Sequence, residues 1–241
     1  MKTLITAVLA PLRLASLRFA KLQQSRAYDL MMRVPLLGWS MFCATVQMAG
    51  LSQHMHQAHM ALPPAAYAIK LAMLLSTIGF LLLLAAAVVI RTRPTAKAHG
   101  FEPRISAFCG TFLIYAIPLF PRRELPVAAE MVATILILVG SLAAVVALLQ
   151  LRRSFSMMAE ARRLVTSGPY RYVRHPLYLA DEVAILGILI QFFSIWTTII
   201  FALQIAFQLR RMHNEETVLG EILPEYAAYQ NRTARLIPRI Y

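Results

Sequence analysis

The chain has 241 residues, of which 59% are hydrophobic and only 15% are charged, and its formal net charge is +13 at pH 7. A soluble domain usually carries about 25% charged residues, so this composition points to a protein of the lipid bilayer. The basic residues flank apolar runs, with few stacking aromatic side chains among them, so we expect no nucleic-acid partner.

The N-terminal segment, residues 1–33, is rich in arginine and lysine and contains one short apolar stretch. Pro11 interrupts that stretch and no clear small-residue cleavage site follows, which argues against a signal peptide. We predict that residues 1–33 form a basic amphipathic segment at the membrane interface, with their cations near anionic lipid head groups.

Four apolar runs follow between residues 34 and 151. A helix needs about 20 residues to cross the hydrocarbon core of a bilayer, and each run is near that length. The predicted spans are residues 34–51, 67–90, 105–120 and 127–151. We therefore predict a region of four transmembrane helices over residues 34–151.

Residues 178–209 are again mostly apolar, but this stretch is too long for one ordinary span and short for two. Lysine and arginine accumulate on the cytoplasmic side of membrane proteins. If the stretch is a hairpin of two short helices, all of the 24 basic residues except Lys70, Arg122 and Arg123 share one side. A single tilted helix would instead place the five arginines of the C-terminal tail outside.

The predicted fold is therefore all-α, a polytopic transmembrane helical bundle of about six membrane helices. It includes the C-terminal helical hairpin and has both termini in the cytoplasm. We expect a multi-pass integral membrane protein surrounded by membrane lipids, in the inner membrane if the chain is bacterial.

Polar and special residues cluster in the segment 164–178, LVTSGPYRYVRHPLY. Pro176 can begin the next helix, because its missing N–H costs nothing there. An interfacial belt of tyrosine and arginine would explain much of this composition. It would not explain His175 before a proline, nor Asp181 and Glu182 just inside the next helix, because ionisable groups at membrane depth are expensive and usually functional.

A second polar segment, residues 211–238, follows the hairpin. Its adjacent glutamates, Glu215 and Glu216, fit a solvated helix face, or a salt-bridged helix cap with Arg211 four residues before Glu215. The predicted topology places both polar segments on the same cytoplasmic surface. We therefore predict that they share one site.

The run GPYRYVRHPLY at 168–178, the Glu215–Glu216 pair and the later Tyr226, Tyr229 and RLIP at 235–238 carry a family resemblance. They resemble the isoprenylcysteine carboxyl methyltransferase family and are similar to the related phospholipid methyltransferases. The resemblance covers about residues 140–241, and the combination of RHPxY with a downstream EE pair is fairly specific. One departure is Leu179-Ala180-Asp181, where family members often carry glycine shortly after the motif tyrosine.

The resemblance implies a methyltransferase-like region over residues 152–241, with S-adenosyl-L-methionine held between the C-terminal helices and capped by the tail. The implied cofactor-binding residues are Tyr170, Arg174, His175, Pro176, Tyr178, Glu215 and Glu216. The nine glycines contain no GxG pair, so a Rossmann-type nucleotide site is not expected. Methyl transfer needs no metal.

Two residues are predicted to act in catalysis. Arg211 is suited to orient an anionic acceptor, and Glu216 is a candidate base if the acceptor is an amine, with His213 as another candidate. Arg174 and His175 are suited to grip the cofactor carboxylate by charge-assisted hydrogen bonds, and a glutamate to bind its hydroxyls or ammonium.

The predicted function is methyl transfer to a hydrophobic or lipidated acceptor, with carboxyl O-methylation of the isoprenylcysteine type favoured. N-methylation of a phospholipid or amine is the alternative. A nicotinamide-dependent membrane reductase or a non-catalytic membrane scaffold is a further alternative, whereas a transporter would carry more midplane polar residues. The histidine- and methionine-rich residues 48–60 suit copper, but a neutral outer loop explains them as well, so no metal site is predicted.

Overall fold

The computed structural model describes residues 26–238, which are mostly helical. Eight α-helices lie in this part of the chain. They are α1 (Arg26–Met31), α2 (Val34–Ala61), α3 (Pro64–Ile90), α4 (Glu102–Phe112), α5 (Val127–Leu151), α6 (Pro176–Gln191), α7 (Ile195–Ile222) and α8 (Tyr226–Arg232). Short 3₁₀ segments cover Leu113–Leu119, Arg152–Ser154 and Gly168–Arg171. Two short antiparallel strands, β1 (Ala96–Lys97) and β2 (Glu160–Ala161), join two loops.

Three helical stretches within residues 26–238 are long and apolar enough to cross a membrane. They are Tyr28–Gln57, Pro64–Ile90 and Val127–Ser154. They contain the first, second and fourth predicted spans. Their length and composition point to a membrane protein.

The third predicted span, residues 105–120, has a different structure from a long regular helix. Here α4 is followed by the 3₁₀ segment Leu113–Leu119, which contains Pro118. Proline lacks an N–H and its ring clashes with the preceding turn, so an α-helix cannot continue regularly through it.

The apolar stretch 178–209 is broken into two helices, α6 and α7, separated by residues 192–194. Ser194 ends the turn with a capping box, in which its side chain accepts a hydrogen bond from the Thr197 N–H and the Thr197 side chain accepts one from the Ser194 N–H. A single tilted helix is therefore excluded. The number of helices that cross the membrane remains a prediction.

The predicted interfacial segment, residues 1–33, lies mostly outside the described residues, which begin at Arg26. Its described end forms α1. There the Asp29 carboxylate accepts hydrogen bonds from Arg33 at 2.6 Å and from Arg91 at 3.0 Å. This ion pair ties the beginning of α2 to the end of α3.

The basic segments that were predicted to share one side meet in the structure. Glu160 on β2 pairs with Arg162 at 2.8 Å and with Lys97 on β1 at 3.8 Å. The exposed pair between Arg122 and Glu130 lies at the opposite end of α5, a helix of 25 residues that is about 37 Å long at 1.5 Å per residue.

Helices α5 and α6 pack through glycine. A Cβ atom on Gly140 would lie 2.5 Å from the backbone nitrogen of Ala184 and 2.7 Å from the Ala180 carbonyl oxygen. Small residues allow such close approach of helices in membrane proteins. This chain has Leu179-Ala180-Asp181 where family members often carry glycine. The small residue needed for close packing is supplied here by Gly140, which lies against Ala180.

We expect Gly140→Ala to destabilise the protein by about 1–3 kcal/mol, because the added methyl overlaps the α6 backbone. Gly79→Ala is the matched control, since nothing lies within 4 Å of a Cβ atom at Gly79. Thermal unfolding in detergent measures both variants. Gly140→Ala should melt at a lower temperature than Gly79→Ala, and equal melting temperatures would contradict this packing.

Candidate active site

The site is organised around the buried carboxylate of Glu216, whose side chain is only 4% exposed. It accepts hydrogen bonds from Arg174 Nε at 2.8 Å, from Arg235 Nη2 at 2.5 Å, and pairs with His175 Nε2 at 3.0 Å. Burial alone would raise the Glu216 pKa, but the hydrogen bonds from these three residues outweigh burial and hold the pKa well below its ordinary value. Glu216 therefore stays ionised, and its carboxylate is occupied by these three partners.

These contacts join three distant parts of the chain. Glu216 lies on α7, Arg174 and His175 precede α6, and Arg235 belongs to the tail after α8. His175 occupies the N-cap of α6 and Pro176 its first turn, where the missing N–H leaves no hydrogen bond unmade. Pro176 thus sets the direction of the helix.

The tail also docks through its backbone. The Arg174 N–H donates to the Ala234 carbonyl at 2.8 Å, and the His175 N–H donates to the Arg235 carbonyl at 3.1 Å. In α8, the Tyr229 hydroxyl donates to the Tyr170 carbonyl at 2.7 Å, and burial raises the Tyr229 pKa to about 12. The phenol therefore remains a donor at physiological pH.

Glu215 points in a different direction from its neighbour. It accepts a hydrogen bond at 2.8 Å from the hydroxyl of Tyr178, whose ring stacks on His175 with centroids 5.3 Å apart. These groups lie around a cleft of about 50 Å³. The cleft is lined by Leu151, Ser154, Phe155, Ser156, Tyr170, Arg174, His175, Leu177, Tyr178 and Glu215.

Arg211 also packs against the ring of Tyr178. Its guanidinium carbon lies 4.7 Å from the ring centroid, an arrangement favourable for a cation–π contact. Arg211 also donates to the Thr111 hydroxyl at 3.0 Å and to the Ser156 carbonyl at 3.4 Å. The residue is 5% exposed and its position is fixed from several sides.

A larger cavity of about 340 Å³ lies beneath the cleft in the middle of the helices. The two spaces share the side chains of Phe155, Leu177 and Tyr178 as walls. Most of the cavity lining is apolar, whereas Asp181 and Arg211 are its charged members. A polar cleft thus borders an apolar chamber.

Comparison with known proteins assigns this region. Residues 132–221 match the isoprenylcysteine carboxyl methyltransferase (ICMT) family. This match confirms the resemblance seen in the sequence motifs. Together with the three apolar helices, it indicates a membrane methyltransferase.

Two curated proteins are also similar to part of the chain. The cobalt-zinc-cadmium resistance protein CzcN of Cupriavidus metallidurans is 38% identical over 78 residues, which are 32% of this chain and 36% of that protein. The nickel-cobalt-cadmium resistance protein NccN of Alcaligenes xylosoxydans xylosoxydans is 35% identical over 82 residues, 34% of this chain and 38% of that protein. The matches therefore span little more than a third of either relative.

The residues predicted for the site lie around Glu216 and the cleft beside it, but they make different contacts there. Arg174 and His175 bind Glu216, and their contact with a cofactor stays a prediction. Glu216, the candidate base, is held by cations, and the other candidate base, His213, is exposed on α7. Glu215 is thus the member of the pair that faces the cleft.

Sequence reasoning missed three residues of this region. Arg235 was noted in the RLIP run without a role, and it binds Glu216. Gln204 and Gln208 line the large cavity. Gln204, Gln208 and Arg211 are spaced by four and three residues, which places them on one face of an apolar helix. Polar residues on one face of such a helix could have predicted a polar site.

The histidine- and methionine-rich residues 48–60 lie within α2 and do not form a loop, since no proline or other helix breaker ends the helix before Pro63 and Pro64. Among the residues that the structure describes, no three or more His, Cys, Asp or Glu side chains are grouped to hold a metal ion.

We expect Glu216→Gln to release the tail, because Arg174 and Arg235 would lose their buried counter-charge. Breaking a buried ion pair from one side costs about 3–5 kcal/mol. Faster hydrogen exchange and protease cleavage over residues 226–238 would measure the release. Glu221→Gln is the control, since Glu221 is exposed on the same helix.

The same contact predicts a pH dependence. Because the Glu216 pKa is lowered in the folded protein, its contribution is complete above the ordinary pKa of 4.5 and is lost as the pH falls below it. Tail protection that is unchanged by Glu216→Gln, or that disappears already between pH 7 and pH 5 in the wild type, would contradict the assignment.

Proposed function

We propose that this protein is an S-adenosyl-L-methionine-dependent methyltransferase of the membrane that acts on a lipid-like or lipidated acceptor. The observation that supports it most is the shared wall of Tyr178, Leu177 and Phe155 between the polar cleft and the apolar cavity. A water-soluble cofactor and a bilayer-soluble acceptor need two such adjoining spaces of opposite polarity.

The chemistry of the cleft residues fits this cofactor. Glu215 uses one carboxylate oxygen for Tyr178 and offers the other to an ammonium or a ribose hydroxyl. The aromatic ring of Tyr170, which also lines the cleft, suits a sulfonium cation. Sites for ligands of this size usually occupy roughly 300–1,000 Å³, so the 50 Å³ cleft must widen when the cofactor binds.

The bound cofactor supplies a methyl group on a sulfonium, which leaves by in-line displacement as the positive charge on sulfur is lost. Rate then depends on alignment and on exclusion of water. Tyr178 lies where the two spaces meet and is fixed by Glu215, His175 and Arg211. The tail, held by Glu216 through Arg235, excludes water from the cleft.

The proposed roles follow from these positions. Tyr170, Tyr178 and Glu215 bind the cofactor, while Arg174, His175 and Glu216 position the tail over it, and Pro176 sets the helix start. Arg211 orients the acceptor at the junction of cleft and cavity. The acceptor's reactive group is a carboxylate, which the motif resemblance favours, or an amine.

We expect Glu215→Gln to weaken S-adenosyl-L-methionine binding at least about tenfold, because a charge-assisted hydrogen bond is lost. Calorimetric titration of S-adenosyl-L-methionine and S-adenosylhomocysteine into detergent-purified protein measures the affinity. Glu221→Gln should bind both ligands as the wild type does. If neither ligand binds to well-folded wild type, the proposal is wrong and a reductase or a scaffold is favoured.

We also propose six membrane helices with both termini and the cleft on the cytoplasmic side, as the distribution of basic residues predicts. Exposed positions suit a labelling test in a Cys43→Ser, Cys109→Ser background. A membrane-impermeant maleimide should label Glu124→Cys in intact cells and Arg93→Cys only after lysis. The reverse pattern would invert the topology.

A further inference from the structure

The cavity beneath the cleft contains a polar patch, which we define as Asp181 on α6 with Gln204 and Gln208 on α7. Gln204 is 1% exposed and Gln208 is 3% exposed. The two glutamines are four residues apart, so they share a face of α7 with Arg211, three residues further on. The rest of the cavity lining is mainly apolar.

The oxygen atoms of this patch lack donors. Gln204 Nε2 donates to Glu182 Oε1 at 3.0 Å and to the Gly110 carbonyl at 3.3 Å, which fixes the orientation of the amide. Its Oε1 atom, and that of Gln208, are buried without a hydrogen-bond partner among the described residues. Within the same residues, the Asp181 carboxylate makes no hydrogen bond or ion pair.

Buried polar atoms are nearly always hydrogen-bonded, so several unpaired acceptors on one cavity wall indicate a ligand that brings donors. Arg211, the one cation of the described cavity lining, uses two of its five N–H groups for Thr111 and Ser156, and its guanidinium packs on Tyr178. The polar patch itself offers a carboxylate and two amide oxygens as acceptors.

We propose that the methyl acceptor is an amphiphilic amine, whose N–H groups bind the polar patch while its apolar chain fills the remaining cavity. The inference rests on the proposed methyltransferase function and names its substrate class. A carboxylate head group in the same place would face the Asp181 carboxylate and two carbonyl oxygens, which is unfavourable. An alcohol would satisfy the acceptors, but a carboxylate is too weak a base to activate it.

The reaction at this patch balances with the methyl donor already proposed. The amine first gives a proton to the Asp181 carboxylate, which frees the nitrogen lone pair. That lone pair forms the new N–C bond as the C–S bond breaks, and the electrons of the C–S bond remain on sulfur, which becomes a neutral thioether. Asp181 lies one helical turn from Tyr178, and it passes the proton to water when the product leaves.

Native mass spectrometry of the detergent-purified full chain tests the proposal with three probes of equal chain length: dodecylamine, dodecanoate and dodecyltrimethylammonium. The amine supplies N–H donors and a positive charge, the carboxylate supplies a negative charge and no donors, and the quaternary ammonium supplies a positive charge alone. We expect dodecylamine to bind the wild type at least about tenfold more tightly than either other probe.

Asp181→Asn should lower the dodecylamine affinity about tenfold or more and leave the calorimetric affinity for S-adenosyl-L-methionine unchanged. Gln208→Leu provides a second variant if Asp181→Asn does not fold, and it should lower the dodecylamine affinity in the same direction. Wild type and variants are compared at one detergent concentration, so that the partition of the probe into micelles is the same for each protein.

Dodecanoate or dodecyltrimethylammonium binding as tightly as dodecylamine overturns the inference, as does an unchanged affinity in the folded variants. These outcomes are distinct from failure of the proposed function, which is read from the cofactor titration alone. A wild type that binds S-adenosyl-L-methionine but prefers dodecanoate retains the methyltransferase proposal and restores the carboxylate acceptor.

Discussion

The geometry of the site depends on one buried carboxylate, that of Glu216, and on the cations around it. A carboxylate in a low-dielectric environment is costly unless its charge is met directly, and here a histidine and two arginines from separate segments meet it. The loop before α6, the end of α7 and the tail can therefore adopt their places only together. The cleft exists because these segments are fixed around Glu216.

A second constraint comes from how α6 and α7 leave their common turn. α6 packs mainly on α5, through Gly140, whereas α7 packs mainly on α4, where Asn214 and Arg210 bind Glu102. The two helices consequently diverge, and the cavity lies between them. Tyr178 belongs to both spaces, so the position of one ring links the polar and apolar halves of the site.

The amino-acid pattern predicted much of this arrangement. Hydropathy located the long helices, and the distribution of basic residues correctly favoured two helices over one in the stretch 178–209. Pro118 shows the limit of that reasoning, because an apolar run of adequate length does not reveal where a regular helix gives way to a 3₁₀ segment. The end of α2 shows it too, since a polar composition was mistaken for a loop.

The motifs singled out residues that the structure brings together, but they did not predict the separate contacts of each residue. Adjacent residues on a helix point about 100° apart, so Glu215 and Glu216 cannot face the same partner. Which of them faces the cleft is decided by how α7 packs and by the tail, which sequence spacing does not encode. The patch of Asp181 and the glutamines was hidden for the same reason, because its members come from helices whose divergence is a tertiary property.

The length of α2 has a consequence for how the bundle sits in a bilayer. Its 28 residues extend about 42 Å, whereas the hydrocarbon core is about 30 Å thick. The excess of about four residues per side, or about eight at one end, is a hydrophobic mismatch that tilting relieves only in part. Because Arg33 ties the beginning of α2 to the last turn of α3, the surplus turns fall at the far end. The exposed side chains of His56, His59 and Met60 lie in those last turns of α2.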